Sequence, residues 1–262
     1  MILDDIAVSA RKRVAEARRR LPLERMREAA EAPGPLCGTP GQFEAALGRP
    51  GLSFICEVKR ASPSKGIIAE DFPHLQIARE YEAAGASAVS VLTEPDYFGG
   101  SGAHLREIAG AVGIPALRKD FIVDEYQLYE TKVLGAAAAL LICALLEPPV
   151  LAAYIGLAGD LGLSALVEAH TEAELAAALD CGARIIGANN RDLRTFAVDL
   201  SVSLRLRELT PAGVLFVAES GIQSAEDVRR LESSGVDAVL IGEALMRSAD
   251  KGAYLARLRG RQ

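Results

Sequence analysis

Six polar residues stand where short apolar runs end. Glu57 and Lys59 close SFICEVK, Lys119 closes ALRK, Glu168 closes SALVE, Asn189 closes IIGAN and Glu219 closes VAE. Two lysines and three carboxylates in apolar surroundings cost several kcal/mol per ion unless they are paired, so stability alone does not call for them. Their types suit acid–base chemistry on an anionic substrate. A lysine donates a proton or pairs with an anion, and a carboxylate accepts a proton. A lysine near a second lysine in a dry site is expected to hold its proton less tightly, and a glutamate at an apolar mouth can be tuned upward towards a base. For any one residue a salt bridge is a sufficient account, and Glu57 with Lys59 reads that way alone. Six at equivalent ends point to a site.

Two glycine turns follow the last two β-like runs of the chain, Glu219-Ser220-Gly221 and Ile241-Gly242-Glu243-Ala244. Glycine lets a backbone approach a ligand closely, and the N–H groups beyond it suit a phosphate. Ser62 and Ser64 in SPSKG add hydroxyl donors. His74, His104 and His170 lack ligand spacing, and a supporting or surface role is expected for His170. Cys37, Cys56, Cys143 and Cys181 form no CxxC pair and read as structural thiols. No metal-ligand cluster and no serine triad is read from the chain.

The elements that carry these residues alternate. β-like runs fall at Phe54–Lys59, Ala88–Leu92, Ala116–Lys119, Ala138–Cys143, Ser164–Glu168, Arg184–Ala188, Val214–Ala218 and Ala238–Ile241. Amphipathic segments such as Glu125–Leu134, Glu172–Leu179 and Ser224–Ser233 lie between them, with Thr171 and Ser224 as N-caps. Gly85, Gly113, Gly135, Gly162, Gly182 and Gly235 read as helix stops. Continuous apolar strands imply a parallel sheet covered on both faces. Eight units in about 210 residues suit a closed (β/α)8 TIM barrel, in which all the strand ends share one mouth. The first strand leads into RASPSKG, which is neither a dinucleotide fingerprint nor a P-loop. Residues 1–48 read as an N-terminal helical extension and 49–262 as the barrel, one structural domain overall. Ile6–Ala30 has a basic face, read as a solvated helix packed by its apolar stripe. Pro33, Gly34, Pro35, Gly38, Pro40 and Gly41 form a connector.

Of 262 residues half are hydrophobic, and the formal net charge is -6. That makes a nucleic-acid partner a poor expectation without excluding a small anionic ligand. The longest apolar stretch, Leu134 to Leu146, is too short to cross a membrane. We expect a cytoplasmic protein, a monomer or weak homo-oligomer, with no membrane or nucleic-acid partner.

The motifs EVKRASPSKG, SVLTEPDYFGG, ALRKDFIVDEYQ, ALVEAHTEAEL, IIGANNRDLRTF, VAESGI and IGEALMR, in this order, resemble the indole-3-glycerol phosphate synthase family. The resemblance implies a carboxy-lyase of tryptophan biosynthesis that needs no cofactor. Its phosphorylated substrate is an anthranilate-substituted deoxyribulose 5-phosphate, closed to an indole with loss of carbon dioxide and then water. By the same resemblance Lys119 is the general acid at the carbonyl oxygen. Lys59 pairs with the substrate carboxylate, and Glu168 is the general base. Glu57, Asn189 and Glu219 orient these groups. Ser62, Gly221, Gly242 and the Glu243 backbone hold the phosphate, while Arg191 and Ser220 belong to the matched motifs without a distinct role. Phe98, Phe121, Leu140 and Leu193 line the aromatic ring. Lys59, Lys119 and Glu168 all stay open as the donor in dehydration. Two other readings stand beside this one: a barrel aldolase with a Schiff base on Lys119, and a non-catalytic phosphate-ligand binding protein.

Overall fold

The computed structural model describes residues 2–32, 39–192 and 194–260. Eight parallel strands close into a barrel in chain order: β1 (Ser53–Val58), β2 (Ala88–Leu92), β3 (Ala116–Lys119), β4 (Ala138–Ile142), β5 (Ser164–Ala169), β6 (Ile185–Asn189), β7 (Leu215–Glu219) and β8 (Ala238–Ile241). β1 pairs with both β2 and β8, so the sheet has no edge. The expected strand limits move by one residue in places. Lys59 lies just past β1, Cys143 opens a 3-10 turn, and Asn189 and Glu219 fall inside their strands.

The alternation of side chains decides what faces inward. Ile55, Leu117, Leu140, Leu166, Ile185, Val217 and Leu240 form one buried cluster within the ring. Glu57, Lys119, Glu168 and Glu219 come two residues after Ile55, Leu117, Leu166 and Val217, and so share their inward face. The pairing Ile142–Glu168–Gly187 and the pairing Asn189–Glu219–Leu240 bring neighbouring strands to the same level. An apolar layer therefore underlies a polar one.

α1 (Ile2–Arg20) and α2 (Leu23–Glu31) precede the barrel. The expected single helical segment is broken at Pro22, whose ring fixes φ and which has no N–H to donate. α1 buries Ile6, Ala7, Ala10 and Val14, and its Arg13 reaches Glu94 at 2.7 Å and Asp120 at 3.6 Å. α3 (Gln42–Leu47) closes the bottom of the barrel, with Phe43 and Leu47 fully buried in the interior cluster. The Ser53 hydroxyl, at the start of β1, donates to the Ala46 carbonyl at 3.1 Å. Most of the proposed connector, residues 33–38 with Cys37, lies outside the described residues.

Short α5 (Pro95–Phe98) follows β2 at the mouth. α4 (His74–Ala83), α6 (Gly102–Ala109), α7 (Tyr126–Val133), α8 (Pro148–Asp160), α9 (Glu172–Asp180), α10 (Ser201–Leu209) and α11 (Ala225–Ser233) return the chain between strands, and α12 (Glu243–Arg247) and α13 (Lys251–Leu258) follow β8. Thr171 and Ser224 accept from the backbone N–H of Glu174 and Asp227, as expected of N-caps. Five of the six glycine stops take positive φ, and Gly113 does not. Among the described residues no helix is long and apolar enough to cross a membrane.

Candidate active site

A cavity of about 730 Å³ opens at the C-terminal mouth of the barrel. Every residue singled out for the site lines it, except Leu193, which lies outside the described residues. At its floor Lys119 Nζ stands 2.9 Å from Glu219 Oε2, 3.8 Å from Glu57 Oε1 and 3.9 Å from Glu168 Oε2. Lys59 Nζ is 2.5 Å from Glu57 Oε2. Four different strands thus supply one charged cluster, held over apolar side chains.

The charge balance corrects one expectation. Lys119 does not hold its proton loosely. Burial works against its charge, but Glu219, Glu57 and Glu168 outweigh it and raise its proton affinity well above that of an ordinary lysine. Lys59, expected to depress it, is instead engaged by Glu57. Burial likewise pushes Glu57 up, and Lys59, Lys119 and Arg191 together bring it below the ordinary carboxylate range. With three carboxylates and two lysines at the floor, Glu219 binds its proton more tightly than an ordinary carboxylate. Burial and the charges on Glu168 and Glu57 prevail over Lys119 and push it up to about 7. Its Oε1 is buried with no hydrogen-bond partner among the described residues. A lysine that keeps its proton is a poor nucleophile, which weighs against the Schiff-base reading.

Two glycines make room for these carboxylates. A Cβ at Gly187 would strike the Glu219 carboxylate, and one at Gly242 would strike that of Glu57. Local bonds fix the strand ends. Asp120, next to Lys119, accepts from the Thr93 hydroxyl at 2.5 Å and from Arg118 Nη2 at 3.1 Å. Asn189 Oδ1 accepts from the Arg191 N–H at 3.1 Å.

At the rim the Ser220 and Gly221 backbones are both left-handed, with φ of 65° and 83°. A serine rarely adopts this conformation, and such strain persists only where the surroundings impose it. Buried Asn190 holds the turn by donating to the Ser220 carbonyl at 3.1 Å. The Glu243 side chain gathers Arg247 at 3.2 Å, Lys65 at 3.7 Å and Arg191 at 3.9 Å, so three cations stand near the glycine turns. Ser62 lies on the same rim, its hydroxyl 3.4 Å from that of Ser64. The Phe98 and Phe121 rings meet with centroids 5.8 Å apart, and Leu140 lies deeper in the wall. Glu94 accepts from the N–H groups of Asp96, Tyr97 and Phe98, which fixes α5 and hence the Phe98 ring.

Sequence reasoning missed several contributors. Ile2, Leu3 and Ile6 of α1 form part of the cavity wall, and Asp120, Ile142, Phe196, Gln223 and Tyr254 also line it. Lys65 and Arg247 stood in quoted motifs without a role. The sequence leaves open whether the N-terminal helix covers the mouth, lines the site or meets a partner, because its apolar stripe serves equally for packing. His74 and His104 lie outside the cavity lining, stacked on each other with centroids 4.2 Å apart.

Fold and site together define a (β/α)8-barrel enzyme with a buried lysine–carboxylate centre under a cationic rim. Likeness in fold extends to barrels of other activities. A thiamine phosphate pyrophosphorylase from Pyrococcus furiosus superposes with TM-score 0.60 at 17% identity, covering 80% of this chain and 94% of that one. A 3-hexulose-6-phosphate synthase from Salmonella typhimurium does so with TM-score 0.65 at 11% identity, covering 80% and 97%. The sequence is more specific. The indole-3-glycerol phosphate synthase family model matches residues 3–258. The indole-3-glycerol phosphate synthase of Ruminiclostridium cellulolyticum is 52% identical over 99% of each chain. That of Lactiplantibacillus plantarum is 49% identical over 99% of this chain and 98% of its own. The chain belongs to the indole-3-glycerol phosphate synthase family.

Proposed function

We propose that Lys119 and Glu168 are the acid and the base with which this enzyme, an indole-3-glycerol phosphate synthase, closes the indole ring of 1-(2-carboxyphenylamino)-1-deoxyribulose 5-phosphate. The observation that carries the assignment is the position of Lys119 Nζ, within 4 Å of three carboxylates from three other strands. Such a lysine is protonated at neutral pH and can give its proton to a carbonyl oxygen as the ring carbon attacks the carbonyl carbon. Lys59 pairs with the substrate carboxylate, which leaves as carbon dioxide and returns its bonding electrons to the ring. The new hydroxyl then takes a proton from one of the two lysine ammonium groups and departs as water, and Glu168 takes the proton from the carbon between the nitrogen and the new bond. Glu57 holds both lysines, while Asn189 and Glu219 orient the floor.

The substrate's phosphate binds at the rim. The left-handed Ser220-Gly221 turn, the backbone at Gly242 and Glu243, and the Ser62 hydroxyl supply donors, and Lys65, Arg191 and Arg247 supply the field. Phe98, Phe121 and Leu140 sandwich the aromatic ring. Residues 1–48 act as an extension of a single domain, a reading supported by Phe43 and Leu47 in the barrel interior. The enzyme works in the cytoplasm on a small molecule, without a nucleic-acid partner. The decisive experiment follows indole fluorescence with wild type and Lys119→Ala. Robust turnover lost in the variant supports the assignment. Near-normal turnover by Lys119→Ala would remove the acid role and leave the activity standing.

A further inference from the structure

His170 stands two residues after Glu168, beyond the end of β5 and outside the family-implied site. Its Nε2 lies 3.6 Å from Glu168 Oε1. Its Nδ1 lies 3.7 Å from Glu174 Oε2, the same oxygen that accepts from the His170 backbone N–H at 2.6 Å. Nε2 is closed off from solvent and has no hydrogen-bond partner among the described residues. The ring is thus clasped from outside by a carboxylate on α9 and turned towards the carboxylate at the barrel floor.

Glu168 has two oxygens in different company. Oε2 faces Lys119, and Lys119 is nearer to Glu219. Oε1 faces His170. We propose that His170 is a positioning residue for Glu168: its ring, braced by Glu174, holds the Glu168 carboxylate aimed into the cavity. The inference rests on the reading of Glu168 as the base. A helix-start role alone would not need the ring, since Thr171 caps α9 and the His170 backbone already binds Glu174.

The titratable groups facing the ring are Glu168 beside it on the β5 end, Glu174 on α9 and Glu219 across the barrel on β7, with Lys119 on β3 behind Glu168 and the Cys143 thiol after β4 donating to the Glu174 carbonyl at 3.7 Å. Burial disfavours charge on His170, but the close contact with Glu174 and the charges on Glu168, Glu174 and Glu219 outweigh it, so the ring binds its proton more tightly than an ordinary histidine. Burial pushes the Cys143 thiol up to about 12, so it adds no charge near neutrality.

The test combines a pH profile with a direct titration. In His170→Gln, kcat is expected to fall about tenfold at pH 6 with KM little changed, because the charged ring 3.6 Å from Glu168 Oε1 has been removed and the carboxylate is no longer held in place. The ratio of wild type to variant is expected to shrink as the pH rises through the titration of the ring, because the wild-type ring then loses its charge as well. A ratio that does not change with pH overturns the inference, even if activity falls. With only three histidines in the chain, the His170→Gln spectrum assigns the His170 ring proton in NMR. Its midpoint is expected above ordinary histidine in wild type and lower in Glu174→Gln, and a wild-type midpoint at or below the ordinary value overturns the clasp without needing a variant that folds. Glu168→Gln separates the underlying reading. If it is folded and inactive while the loss in His170→Gln is independent of pH, only the His170 role falls. If Glu168→Gln turns over normally, the base assignment falls first.

Discussion

Lys119 and Glu219 meet at 2.9 Å across the barrel mouth, one from β3 and one from β7, where three carboxylates share two lysines. The pair links the proposed acid to the group that carries the surplus proton.

That surplus sets a pH dependence. Glu219 is raised from 4.5 to about 7, so between these values the folded protein binds more protons than the unfolded chain. Stability from this group is full below about 4.5 and is lost as pH rises through about 7. Glu57, whose affinity is lowered, acts in the other direction and only below its ordinary range. Urea unfolding of wild type and Glu219→Gln should therefore show the wild type losing about 3 kcal/mol relative to the variant from pH 4.5 to 7.5. A constant difference would remove the raised Glu219.

Lys119→Ala should lower kcat by about 10²–10⁴-fold, the range for a lost proton donor. It also leaves buried carboxylates without their shared cation, so its stability should fall by roughly 3–5 kcal/mol at pH 8. The loss should shrink at pH 5, where a carboxyl can take the place of the charge by binding a proton. Steady-state kinetics and thermal melts at both pH values check this.

Gly242→Ala should displace the Glu57 carboxylate and crowd Lys59, since the added Cβ meets both. A shift of about 1 Å in such a group costs roughly 100-fold in kcat/KM, against about 1–3 kcal/mol of stability from overpacking. Unchanged kinetics would show that the turn yields instead of Glu57.

Arg13→Ala should loosen α1 from Glu94 and Asp120. The ion pair is half-buried, so about 1–2 kcal/mol is expected, between the figures for exposed and buried pairs. Because Ile2, Leu3 and Ile6 wall the cavity, KM should rise more than kcat falls. Thermal melting and a substrate titration read the two effects.

Phe43→Ala opens a hole at the opposite end of the barrel. A loss of about 3–5 kcal/mol is expected, with turnover per folded molecule unchanged, because the interior apolar layer separates Phe43 from the mouth. Chemical denaturation and active-site kinetics on the folded enzyme separate the two.

Much of the fold was legible in local pattern. Strand alternation carries Ile55 to Glu57 and Leu166 to Glu168 on one face whatever the rest of the chain does. The break at Pro22 was legible too, in a proline that cannot continue a hydrogen-bonded helix, yet the composition of Ile6–Ala30 masked it. The role of α3 was not legible, since Phe43 and Leu47 could pack on any apolar surface.

By itself the sequence determined which side chains stand at the strand ends, and hence that Lys119, Glu168 and Glu219 share a mouth. Only the tertiary structure decided their charges. Proton affinity depends on distances across the barrel, where three carboxylates converge on Lys119 from strands far apart in the chain, and on the burial they share. Sequence spacing contains neither quantity. The expected easing of the Lys119 proton therefore reversed, and the raised carboxyl proved to be Glu219, because closing the ring puts three carboxylates within 4 Å of Lys119, while Glu57 engages the like charge of Lys59.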